Sequence, residues 1–108
     1  MAEFPIDQFK PPGGIQNDLV GQPITAASVI APSRMIHHVI GTTQVVTITP
    51  PWTDFNGPLY LVADSVFSWT STGGNIARAN ASAVLAGAAY GFVYDRRAGK
   101  WYPLCEYT

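Results

Sequence analysis

Charge is what this chain has least of. Lys, Arg, Asp and Glu make up 12% of its 108 residues, about half the usual share of roughly 25%. Six basic residues stand against seven acidic ones, for a formal net charge of −1. No strong field therefore draws the chain to nucleic acid or to an anionic membrane surface. Cysteine is reduced to Cys105, which excludes an internal disulfide and is expected to be a small apolar residue on the last strand. No apolar run approaches the roughly 20 residues of a membrane-spanning helix. Met1-Ala2-Glu3-Phe4 is acidic and no apolar h-region follows, so the expectation is no secretory signal and synthesis in the cytosol.

Catalytic signatures are missing as well. There is no G-x-S-x-G, no phosphate-binding loop and no zinc cluster in the sequence. Thr72-Gly73-Gly74-Asn75 has the glycines of a phosphate cradle but lacks its lysine and following helix. Asp54, Asp64 and Asp95 fall at turn positions, where capping is the expected role. His37 and His38 are adjacent. On a strand they point to opposite faces and cannot chelate one metal together, so one is expected packed and the other near the surface. The chain is read as non-enzymatic, with no cofactor and no metal.

What is present is apolar and β-forming: 47% hydrophobic residues, three Trp, five Tyr and five Phe. Residues 1–24 are broken by Pro5, Pro11, Pro12, Gly13, Gly14, Gly21 and Pro23, too often for a long helix or strand. They still carry Phe4, Ile6, Phe9, Ile15, Leu19 and Val20, more apolar side chains than a disordered tail keeps. This segment is read as an extended arm that docks on a neighbouring subunit; the alternative is a loop wrapped on its own domain. Residues 25–108 are read as the folded domain.

Within that domain, Arg34–Ile40 and the β-branched run Gln44–Thr49 flank Gly41-Thr42-Thr43 and predict a hairpin. Pro50-Pro51 ends its second strand. Trp52–Pro58 is a loop whose aromatics are expected to cap one end of the core. Strands are predicted at Leu59–Ala63 and Val66–Thr70, with Phe67 and Trp69 on one face. Short ones follow near Ile76–Ala79 and Ala83–Leu85. Tyr90, Phe92 and Tyr94 alternate with Gly91, Val93 and Asp95, the period of a strand with one buried face. Asp95–Lys100 then turns the chain into Trp101–Tyr107 as a second hairpin. About eight short strands predict an all-β fold, a single β-sandwich or jelly-roll-like barrel.

Several of these pieces carry a family resemblance. Ile48-Thr49-Pro50-Pro51, Gly57 with Leu59-Tyr60-Leu61, Gly74-Asn75-Ile76-Ala77, and Phe92-Val93-Tyr94-Asp95 to Lys100-Trp101-Tyr102-Pro103 resemble a module of tailed-bacteriophage virion proteins. It occurs in head decoration or cement proteins and in tail-fibre-type proteins, and it covers about half the chain. The resemblance implies a structural role on a virion and, as is common among virion ornaments, a homotrimer; a capsid-surface location with the major capsid protein as partner is expected if that role is head decoration.

Two binding roles follow. In the first, the domain decorates the phage head and stabilises it by bridging coat subunits, with the arm as clamp. Arg96, Arg97 and Lys100, half of the positive charge, then form either a solvated hairpin tip or a contact to an acidic patch. In the second, the domain is a tail or fibre-tip subunit. Trp52, Trp69, Trp101, Tyr60, Tyr102 and Tyr107 then supply a stacking platform for a host glycan, against the expectation that three tryptophans in a small domain are core. The short chain, without coiled-coil heptads, favours the first.

Overall fold

Two sheets take turns along this chain. In the computed structural model, which describes residues 19–80 and 84–104, the strands are β1 (Ile24–Thr25), β2 (Val29–Ile30), β3 (Ile36–Ile40), β4 (Thr47–Ile48), β5 (Gly57–Ala63), β6 (Ala89–Asp95) and β7 (Lys100–Pro103). The described residues contain no helix. The larger sheet has the order β1-β3-β5-β6-β7 and the smaller pairs β2 with β4. From β1 to β5 the chain alternates between them, winding so that each return is parallel to the last. Only then does β6 pair antiparallel with β5, and β7 with β6.

This winding corrects the first predicted hairpin. β3 does not pair with the Gln44–Thr49 run; it sits between β1 and β5, parallel to both. Thr47–Ile48 belongs to the other sheet, beside Val29–Ile30. At Gly41 φ is +90°, a conformation that glycine adopts without a Cβ penalty, and the chain leaves the larger sheet there. Alternation shows that a segment is a strand and which side it buries, but it does not name the partner.

The β6–β7 hairpin forms, with Asp95 opposite Lys100; its second strand runs Lys100–Pro103 rather than to Tyr107, and Cys105 and Tyr107 lie outside the described residues. Asp95 caps its turn, its Oδ1 accepting from the Arg97 amide at 2.9 Å. Phe67 and Trp69 share a buried side. Their segment contributes only the bridge from Trp69 to Val45, which extends the β2–β4 side. Ile76–Ala79 likewise makes a single bridge, Ile76 to Trp101, rather than a strand. Of Ala83–Leu85, the described residues 84 and 85 lie outside any strand. Gly87, at φ +88°, turns the chain there into β6.

Both sheets feed one core. Ile30 and Ile48 from the smaller sheet join Val39, Leu59, Leu61 and Phe92 from the larger. Trp69 and Trp101 are the largest fully buried side chains. Trp69 meets Phe92 edge-on at 5.0 Å, and Trp101 lies 4.9 Å from Tyr94. Burying each such ring contributes on the order of 1.5–3 kcal/mol, with about 0.5–1.5 kcal/mol more from the ring geometry.

Candidate binding surfaces

Among the described residues no second sheet packs on the outer face of the larger sheet. His37, Val39, Leu59, Leu61, Phe92 and Trp101 are buried on the inner side, so their alternates face outward. In register across that outer face lie Ile36, Tyr60 and Gly91, and beside them Pro58, Val93 and Tyr102. Ile40, Tyr60, Val93, Tyr102 and Leu104 are all exposed. Leu104 lies over Gly91 next to the Tyr60 ring, so close that a Cβ at position 91 would collide with it. The ionisable groups on this face include His38 and Asp64, paired at 2.9 Å, and Asp95 and Lys100 at the hairpin end.

The histidines divide as the strand period predicts. His38 is on this outer face, while His37 is 2% exposed. His37 Nε2 accepts from the Ser33 and Arg34 amides at 2.9 and 3.0 Å. That occupancy leaves the ring hydrogen on Nδ1, which donates to the Gln22 carbonyl at 2.7 Å. The imidazole is thus the neutral Nδ1–H tautomer, and it ties the edge segment and the 32–34 loop to β3. The role is structural.

A second exposed feature sits where β3 and β5 begin. Trp52 is 60% exposed, unlike the other two tryptophans. Its ring stands at 88° to Phe55 with centroids 4.9 Å apart, and Phe55 in turn packs on Trp101 and Tyr94. Of the two loop aromatics expected to cap the core, Phe55 does so and Trp52 does not. Hollows open on both sides of Trp52. One, of about 300 Å³, is lined by Pro50, Thr53, Asp54, Phe55, Tyr94 and Arg96. The other, of about 400 Å³, is lined by Leu19, Ser33, Arg34 and Met35.

Arg96 is drawn into the first hollow's rim. Its Nη1 donates to Asp54 Oδ1 at 2.9 Å, and its amide donates to Asn56 Oδ1 at 2.8 Å. The basic turn is therefore divided: Arg96 faces the Trp52 loop, whereas Lys100 Nζ reaches the Gly74 carbonyl at 3.5 Å. Asp54 has φ +31°, uncommon for any residue but glycine and best tolerated by Asp and Asn. Such outliers concentrate where a loop is held for a purpose.

Of the arm residues, Phe4, Ile6, Phe9 and Ile15 lie outside the described residues. Leu19 and Val20 are exposed, and this part of the chain runs along β3. The Gly21 amide donates to Ile36 O, and the Ile36 amide to Leu19 O. Among the described residues no group of three His, Cys, Asp or Glu is placed to hold a metal ion. Comparison with family models, with curated proteins and with solved structures returned no match.

Proposed function

We propose that this chain is a non-enzymatic bacteriophage virion protein, a capsid decoration or cement protein that binds the assembled head and bridges coat subunits. The observation that carries the reading is the outer face of the five-stranded sheet. It presents Tyr60, Val93 and Tyr102, all exposed, in adjacent rows, with His38, Asp64, Asp95 and Lys100 as its ionisable groups. An exposed patch of this kind marks a protein contact on a small soluble domain, and tyrosines are favoured in such contacts. A protein that binds only the assembled shell stabilises it by mass action. The two sheets around one core are read as the β-sandwich of such a module, assembled as a homotrimer on the capsid surface. Phe4, Ile6, Phe9 and Ile15 are assigned to the arm's grip on coat protein.

The test is co-sedimentation of the purified chain with empty phage heads. Saturation at a fixed ratio to coat protein is expected, and Tyr60→Lys is expected to abolish it. Heads that pellet without the protein would end the decoration reading. The second reading, a tail or fibre-tip subunit that binds a host glycan, is favoured by one observation, the exposure of Trp52.

A further inference from the structure

From the Trp52 end of the sheet we infer a saccharide-binding site, in which a chain of pyranose rings lies across the indole and fills the hollows on either side. This names the ligand chemistry and residues for a glycan role and holds whether the domain sits on head or tail. Three features of the site carry it. First, Trp52 offers an open apolar surface of a kind that the C–H face of a pyranose covers, and it is the tryptophan left outside the core. Its ring is fixed by the edge-on contact to Phe55, which is itself anchored on Trp101. A platform set in place beforehand loses little conformational freedom on binding.

Second, Asp54 and Arg96 place an acceptor and a donor 2.9 Å apart on the rim of the first hollow. A hydroxyl both donates and accepts, so two neighbouring ring hydroxyls match this pair, one donating to the carboxylate and one accepting from the guanidinium. The pair is held by the Asn56 bond to the Arg96 backbone and by the turn that sets Asp54 at φ +31°. Third, the hollows, about 300 and 400 Å³, share Trp52 as their common wall. Each is at the small end of the roughly 300–1,000 Å³ of ligand pockets, so the site suits two successive sugar units rather than one large rigid ligand. Arg34 and Ser33 supply polar groups on the second side. A flat protein contact would not need a donor–acceptor pair and two separate hollows, and the outer sheet face already provides a protein-binding surface.

The experiment is a fluorescence titration of the full chain with short pyranose oligosaccharides, neutral and uronate-containing, and with purified bacterial envelope polysaccharide. Trp69 and Trp101 are buried, so a saturable change in emission reports Trp52. Trp52→Ala is expected to weaken binding by roughly tenfold or more, Asp54→Asn to weaken it less, and Trp52→Phe to retain part of it. Near-ultraviolet circular dichroism from the buried tryptophans checks that each variant is folded. Tyr60→Lys, on the outer sheet face, is expected to lose head binding and keep saccharide binding, which separates this inference from the decoration reading. Absence of a saturable change with any of these saccharides overturns the inference. So does equal binding by Trp52→Ala, or loss of head binding in Trp52→Ala with no saccharide response in the parent chain, which would make Trp52 a protein contact.

Discussion

The side-chain amide of Asn75 closes on the backbone of Ile48 like one more strand. The Ile48 amide donates to Asn75 Oδ1 at 2.9 Å, and Asn75 Nδ2 donates to the Ile48 carbonyl at 2.7 Å. The same carbonyl also accepts from Trp101 Nε1 at 2.9 Å. One buried residue of the smaller sheet is thus joined to the loop before Ile76 and to the last strand of the larger sheet. Asn75→Ala is expected to destabilise the fold by about 1–3 kcal/mol, because it strands the Ile48 amide. Asn75→Asp sets a carboxylate oxygen against the Ile48 carbonyl and is expected to cost more. Urea unfolding midpoints of the two variants check the order.

Gly74 is held to glycine by the same junction. A Cβ there would overlap the Val46 carbonyl, which is backbone and has nowhere to move. Gly74→Ala is expected to cost at least about 1–3 kcal/mol, the usual penalty of overpacking. Gly99 has open space around it at φ +68°, and Gly99→Asn, compatible with that conformation, is expected to unfold close to the parent. A thermal melt of both variants separates steric from conformational demand.

His37 predicts a spectroscopic signature. Its two acceptor contacts fix the neutral Nδ1–H form, so imidazole nitrogen resonances should show hydrogen on Nδ1 and none on Nε2. His37→Ala leaves the Ser33 and Arg34 amides without that acceptor and opens a cavity; a loss of about 2–5 kcal/mol is expected. Gly21→Ala should act on the same contact from the other side, since its Cβ would run into the His37 ring.

Charge placed on the outer sheet face separates folding from assembly. Tyr102→Lys alters a half-exposed side chain outside the core, and surface changes of this kind shift stability by about 0.5 kcal/mol or less. The variant is expected to melt near the parent yet to lose co-sedimentation with phage heads. A marked fall in melting temperature would show that the face is part of the fold and not a contact surface.

The sequence made some of this legible and concealed the rest for physical reasons. The β6–β7 hairpin was readable because its partners are close in the chain and its turn holds Asp95 and Gly99. The opposite fates of His37 and His38 followed from the strand period alone. Pairing of β3 with β5 was not readable, because a parallel partner across an intervening strand leaves no local mark. Asn75 after two glycines reads as a turn residue, and nothing in its neighbours points to Ile48. Trp52 was hidden by its type, since tryptophan predicts core; its place in the loop between Pro51 and Gly57 was the signal that set it apart from Trp69 and Trp101.

The parallel winding also sets a timetable for the nascent chain. When Ile40 leaves the ribosome, β3 can pair with β1 but has an open edge until β5 follows. β5 then waits in the same way for β6. At roughly 5–20 residues per second, each wait is on the order of seconds, and an unpaired strand edge is a template for aggregation. Ribosome-bound chains with only residues up to Ala63 exposed are therefore expected to be cleaved readily by protease, and those with Pro103 exposed to resist it. Protection that begins at the shorter length would show that the wound half folds without its hairpin.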